Sequence, residues 1–160
     1  MEKQPNDFSR RQLVAENSSH IEPSLTIVMG VSGSGKSTFA KWLAKQTQSQ
    51  FVEADDFHSD TSKAMMSAGV ALTEKERAPW IARMLVFFQS QLEETTNDIS
   101  SNNTHKRQSF VLAYSGLKAD HRNMFSQLPC KVIFYYMHVS KSELERRLCK
   151  RANSSSHFMS

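Results

Sequence analysis

Apolar and polar positions along the chain change period several times, and each change predicts an element. The apolar run Leu25 to Met29 reads as a buried strand. A glycine-rich turn follows, and then Phe39, Leu43 and Ala44 recur at helical spacing, predicting a helix over Ser37 to Gln46. Phe51-Val52 begins a short second strand that ends at Glu53-Ala54-Asp55-Asp56-Phe57-His58. Ser62 to Ala68 predicts a short helix closed by Gly69, and Thr73-Glu74-Lys75-Glu76 is a capping-box pattern opening the next. Pro79 predicts a break with a fresh helix start, because proline lacks the N–H that a helix interior needs. From there Trp80, Ile81, Met84, Leu85, Phe87, Phe88 and Leu92 form an apolar stripe of period 3.6, a core face. Glu93 to Gln108 is polar and rich in Asn, Ser and Thr, so a helix end running into an exposed loop is expected.

Ser109 to Ser115 predicts a third strand and Ala119 to Phe125 a helix. Cys130 to Val139 is continuous enough in apolar residues to predict a fourth strand buried on both faces. A second capping box, Ser140-Lys141-Ser142-Glu143, starts a helix with Leu144 and Leu148 inward, after which Asn153 to Ser156 leads to His157-Phe158-Met159-Ser160. Strands alternating with helices predict an α/β fold with a doubly wound parallel sheet.

Composition narrows the class. A chain of 160 residues with 39% hydrophobic content suits one domain. Residues 1–22 mix Lys3, Arg10 and Arg11 with Glu2, Asp7, Glu16 and Glu22 and read as a solvated N-terminal tail, leaving 23–160 as the domain. The net charge of +4 is modest and no basic run forms a nucleic-acid track, so a small polyanion is the expected partner. Two cysteines, Cys130 and Cys149, with no zinc spacing predict a reducing, cytoplasmic setting, and no stretch is apolar enough to span a membrane.

The chemistry concentrates in Gly30-Val31-Ser32-Gly33-Ser34-Gly35-Lys36-Ser37, which fits G-x-x-x-x-G-K-[ST] between a predicted strand and helix. Such a loop curls its N–H groups toward a polyphosphate, and the helix N-terminus adds its dipole. Gly30 to Thr38 are therefore the expected ATP-binding residues. Lys36 reaches the β- and γ-phosphates, and the Ser37 hydroxyl is placed to ligate Mg²⁺, with Thr38 a neighbour and not the ligand. Ligand crevices of such sheets lie beyond the carboxyl ends of the strands, which brings the acidic stretch 53–58 beside the phosphates.

Taken with that loop, Ala54-Asp55-Asp56-Phe57-His58, Met66 with Gly69, Leu72, Arg77-Ala78-Pro79-Trp80, Ser115-Gly116-Leu117-Lys118 followed by Arg122, and Arg147 and Arg151 with His157-Phe158-Met159 resemble the gluconokinase family over about residues 25 to 160. The resemblance implies a P-loop kinase of the adenylate-kinase-like, nucleoside-monophosphate-kinase-like fold that phosphorylates the terminal hydroxyl of D-gluconate with ATP and Mg²⁺. Asp55 is the expected acceptor of the hydroxyl proton, with Lys36 stabilising charge on the transferred group. Arg77 and Lys118 are expected to hold the sugar-acid carboxylate, with His58 and Ser115 lining the substrate. Arg147, Arg151 and His157 match the family's lid. Asp55 and Asp56 stay open as base or helix cap, Arg77 as ligand or surface partner of Glu74 or Glu76, and a homodimer is left open.

The chain departs from the family pattern at Glu53, where Asp is usual, at Ser62 and Met65 for Asn and Lys, and at Ala71, Glu76, Gly116, His121 and Asn123 for Pro, Asp, Ala, Tyr and Asp. The family continues past His-Phe-Met with a fifth strand and last helix, about 30 residues at ordinary element lengths, so those elements are expected to be missing here. The other readings are a catalytically weak nucleotide-binding isoform and another small-molecule P-loop kinase, shikimate-kinase-like.

Overall fold

The computed structural model describes residues 22–97 and 108–156. Its elements in chain order are β1 (Ser24–Met29), α1 (Lys36–Gln46), β2 (Gln50–Glu53), a 3-10 turn (Ala54–Phe57), α2 (Asp60–Ser67), α3 (Glu74–Asn97), β3 (Ser109–Tyr114), α4 (Ala119–Phe125), β4 (Lys131–Tyr136) and α5 (Lys141–Ser156). The strands form one sheet in the order β2-β3-β1-β4, parallel at every pairing. The expected doubly wound parallel sheet is therefore present. Of the expected loop after Glu93, helix α3 takes the part to Asn97, and 98–107 lie outside the described residues, as do 1–21 of the tail.

The two sheet faces are sorted by the strand period of two. Leu25, Ile27 and Met29 of β1 and Phe110, Leu112 and Tyr114 of β3 point to one side, where Trp80, Ile81, Met84 and Phe88 of α3 and Phe125 of α4 cover them. Val28, Val111 and Ala113 point to the other side against Ala40 and Ala44 of α1. Small residues on both partners let α1 lie close to the sheet, which holds the start of that helix directly beneath the loop that follows β1.

Three expectations are corrected. Helix α3 runs unbroken through Pro79. Arg77 N–H already bonds the Thr73 carbonyl at 3.1 Å, so the nucleus stands before proline arrives, and proline forfeits only the bond to Lys75. Both Lys75 and Pro79 are exposed, and water can satisfy the freed carbonyl. Strand β4 is shorter than predicted and half-exposed, because among the described residues it is an edge strand that pairs with β1 alone. Its apolar run persists for another reason: Met137 N–H bonds the Met29 carbonyl at 2.7 Å and the side chain packs against the α1 face. Leu148 of α5 is 43% exposed and so does not point into the core; with Leu144 it covers the glycine-rich loop.

Helix ends are set locally. Ser59 caps α2 by accepting the Ser62 N–H at 3.1 Å. Gly69 at φ +75° closes it, with Gly69 N–H bonded to Met66 and Val70 N–H to Met65, a Schellman motif. In α3 the predicted box forms with one bond moved: Glu76 Oε2 accepts the Thr73 N–H at 2.9 Å, while Thr73 Oγ1 accepts from the Lys75 N–H, one position before the Glu76 N–H of a regular box. At α5 only half of the second box forms: Ser140 Oγ accepts the Glu143 N–H, and the Glu143 carboxylate turns to Arg146 and Arg147.

Candidate active site

The loop from Gly30 to Gly35 joins the end of β1 to α1. Gly33 and Gly35 have φ of +83° and +91°, a region open chiefly to glycine, so the backbone can curl with its N–H groups inward. A Cβ on Gly30 would lie 2.6 Å from Ser34 Oγ and 3.2 Å from the Cβ atoms of Ser34 and Met137, so a side chain there would push the Ser34 hydroxyl aside. Ser34 N–H bonds the Val31 carbonyl at 3.1 Å and Gly30 N–H bonds the Tyr114 carbonyl at 3.3 Å, tying the loop to itself and to β3. Lys36, at the first position of α1, is buried.

Helix α5 lies over this loop. A Cβ on Gly33 would be 3.0 Å from Leu144 Cδ1 and 3.1 Å from Leu148 Cδ2. Arg147 donates from Nη1 to the Ser34 carbonyl at 3.0 Å and from Nε to Glu143 at 2.6 Å, and Glu143 also takes two bonds from Arg146. These cations hold the Glu143 carboxyl at about 2, far below its ordinary range. A cavity of about 960 Å³ opens between α1 and α5, with Thr38, Phe39 and Trp42 on one wall and Arg146, Arg147 and Lys150 on the other. Arg147 thus lies directly over the glycine-rich loop. Arg151 lies on α5 as well, and His157 lies outside the described residues.

Beyond β2 the acidic stretch forms a tight 3-10 turn, not a strand end, with Asp55 and Asp56 exposed and Ala54 buried. Helix α3 pins both ends of this turn. Trp80 Nε1 donates to the Ala54 carbonyl and Arg83 Nε to the Phe57 carbonyl, each at 2.6 Å. Trp80 is itself sandwiched, stacked on His58 at 4.2 Å and on Tyr114 at 5.2 Å. His58 is buried with no partner on Nδ1, and burial pushes its pKa down against the opposing charge of Asp55.

Glu53, the last residue of β2, reaches the other side. Burial raises its pKa above the usual carboxylate value, while the Ser37 hydroxyl and Lys36 pull it back and Asp55 and Asp56 add to the rise. Its Oε1 is buried with no hydrogen-bond partner. An orphaned carboxylate oxygen beside a serine hydroxyl fits a hard divalent cation, which takes oxygen ligands. No cluster of three or more His, Cys, Asp or Glu suits a metal among the described residues, so phosphate oxygens and water would complete such a cation's shell.

Beside the acidic turn lies a cleft made of two cavities sharing Arg77, Trp80 and Ser115. One, of about 350 Å³, adds His58, Met66, Gly69 and Leu72; the other, of about 410 Å³, adds Gly116, Leu117, Lys118 and His121. Arg122 Nη1 donates to the Leu117 carbonyl at 2.6 Å and holds the 115–118 loop. Arg77 and Lys118 meet on one carboxylate, that of Glu74: the Lys118 ammonium donates to Oε1, and Arg77 Nη1 stands 3.4 Å from the same oxygen. His121 Nε2 stands 3.5 Å from Oε2, and His121 Nδ1 pairs with the buried Tyr114 hydroxyl at 3.0 Å. Burial pushes the Tyr114 pKa up, so the hydroxyl keeps its proton. Arg77 pairs with Glu74, one of the two surface partners expected for it, and its side chain also lines the cleft.

Sequence reasoning missed Glu53 as a neighbour of Ser37, and it missed Trp80, Glu74, Tyr114 and Glu143 as parts of the site. The family pattern flagged Gly116 as a departure without its reason. A Cβ there would overlap the ring and hydroxyl of Tyr114, so the bulky residue at 114 and glycine at 116 go together.

Comparisons with known proteins agree with this geometry. Residues 25–159 match the AAA domain family. The chain is 34% identical over 142 residues to a gluconokinase of Arabidopsis thaliana, covering 82% of this chain and 69% of that protein. It is 32% identical over 139 residues to the gluconokinase of Gluconobacter oxydans, covering 87% and 70%. Among solved structures, a gluconokinase of Sinorhizobium meliloti superposes with a TM-score of 0.64 at 30% identity, covering 82% of this chain and 66% of that one. With the loop, the acidic turn and the cation-lined cleft at one edge of a parallel sheet, the chain belongs to the gluconokinase family of P-loop kinases.

Proposed function

We propose that this chain transfers the γ-phosphoryl group of ATP to the terminal hydroxyl of D-gluconate, giving 6-phospho-D-gluconate and ADP. One observation carries the reading: Asp55 stands within electrostatic reach of both Glu53, which neighbours Lys36 and Ser37, and His58, which lines the acceptor cleft. A carboxylate between a phosphate loop and a cation-lined cleft is where phosphoryl transfer to an alcohol needs a base.

In this mechanism the loop N–H groups and Lys36 hold the β- and γ-phosphates, and Arg77 and Lys118 hold the sugar-acid carboxylate. Neutral His58 hydrogen-bonds a hydroxyl along the polyol chain. The terminal hydroxyl oxygen attacks the γ-phosphorus, its proton passes to Asp55, and the bond to the β-phosphate oxygen breaks. Ser37 and Glu53 are the residues that would hold a Mg²⁺ ion bound with ATP, which would supply neutralisation of the charge developing on the phosphates. Arg147, released from Ser34, adds a cation over the transferring group. The two free cysteines fit a cytoplasmic setting, and no described helix is long and apolar enough to cross a membrane.

The test is ADP release from Mg²⁺-ATP with and without D-gluconate, beside Lys36→Ala and Asp55→Asn. Gluconate-dependent turnover is expected, falling at least about 100-fold in each variant. Turnover indifferent to gluconate overturns the substrate; an active Asp55→Asn enzyme overturns the base.

A further inference from the structure

Glu74 belongs to none of the roles above, yet its carboxylate is the hub of the acceptor cleft. It occupies both cations assigned to the substrate, taking a bond from Lys118 and standing 3.4 Å from Arg77. Two carboxylates cannot share these cations without repulsion. An anionic acceptor at these cations therefore competes with Glu74 for them.

The geometry makes that exchange easy. The side chains of Glu74, Arg77 and Lys118 are 56%, 38% and 52% exposed, so the pairs they form are weak, water-screened ones. Glu74 also has a second seat. His121 Nε2 stands 3.5 Å from Glu74 Oε2, and the other ring nitrogen, Nδ1, is paired with the Tyr114 hydroxyl at 3.0 Å, which fixes the ring facing Glu74. The first turn of α3 adds the positive end of its dipole. A displaced Glu74 thus stays partnered when Arg77 and Lys118 turn to the substrate.

We infer that Glu74 is a specificity-determining counter-ion: it stands in for the acceptor's carboxylate in the free enzyme and sets how strongly the cleft prefers an anionic sugar acid over a neutral polyol. The inference rests on the proposed function for the identity of the acceptor. Arg77, Lys118 and Glu74 together carry +1; without the Glu74 charge the cleft carries +2. One unit charge removed at about 6–8 Å in a largely solvated site corresponds to about three- to tenfold in affinity for a monoanion.

The experiment compares wild type with Glu74→Gln and Glu74→Asp, using D-gluconate and the neutral hexitol D-sorbitol as probes. Turnover gives kcat and KM, calorimetric titration gives binding without turnover, and thermal melts confirm folding. Glu74→Gln is expected to lower the gluconate KM and dissociation constant about three- to tenfold, with kcat changing far less and sorbitol binding unmoved. The gain should shrink as ionic strength rises. Glu74→Asp keeps the charge and should stay near wild type. If wild type turns over gluconate and folded Glu74→Gln binds it equally or more weakly, Glu74 only builds the site and the inference is overturned while the function stands. If gluconate binds without turnover and Glu74→Gln binds it more tightly, the inference stands and the function falls. Absence of gluconate binding in both proteins overturns both.

Discussion

Trp80→Phe tests whether α3 holds the acidic turn in place. The indole is 3% exposed, donates to the Ala54 carbonyl at 2.6 Å, and lies between His58 and Tyr114. Phenylalanine keeps most of the stacking surface but has no donor, and Ala54 is fully buried, so water cannot replace the bond. An unsatisfied buried carbonyl costs about 1–3 kcal/mol. The lost ring edge, about 45 Å² of apolar surface at about 25 cal/mol per Å², adds about 1 kcal/mol. The expected destabilisation is therefore about 2–4 kcal/mol, a melting shift of about 6–12 °C for a domain of this size. Because Asp55 is the next residue along, kcat/KM should fall about 10- to 100-fold beyond any loss of folded protein. Arg83→Ala, which removes the other pin from an exposed position, should cost less than about 1 kcal/mol, since water can take its place. Urea unfolding read by far-UV circular dichroism, with steady-state kinetics well below the melting range, measures both effects. A Trp80→Phe protein within about 1 kcal/mol of wild type and fully active would refute the view that this bond positions the turn.

Further outcomes follow from the same geometry. Glu53 has a folded pKa above its unfolded value, so its favourable contribution is complete below about pH 4.5 and is lost as pH rises through the raised value. Glu53→Gln should therefore melt higher than wild type at neutral pH without a cation, and gain less from added Mg²⁺-ADP; equal Mg²⁺-ADP shifts would remove Glu53 from the metal site. Gly116→Ala should cost about 1–3 kcal/mol by overpacking against Tyr114, measured as a lower urea midpoint with unchanged m-value. Glu143, held at about 2 against an unfolded value of 4.5, contributes above pH 4.5 and loses its contribution as pH falls from there toward 2. Amide exchange across α5 should be flat in protection from pH 5 to 8 and weaken below pH 4.5, and Glu143→Gln should remove that step.

Much of this protein is written in short stretches of chain. The fold class, the element order, the loop from Gly30 to Ser37, the Ser59 and Gly69 ends of α2 and the Thr73 box depend on residues within a few positions of one another. Periodicity and capping report such elements directly. Tertiary structure decided the rest. Pro79 stays within a helix because an already formed turn precedes it and its freed carbonyl faces water. The apolar residues of β4 lie at an edge because sheet order, not hydrophobicity, sets which strand is central. The site's working contacts join Trp80 to Ala54, Lys118 to Glu74 and Arg147 to Ser34, 26, 44 and 113 residues apart. Each exists only once parallel crossovers have gathered the carboxyl ends of β1, β2 and β3 at one edge of the sheet, and no local pattern encodes which distant partners that edge will bring together.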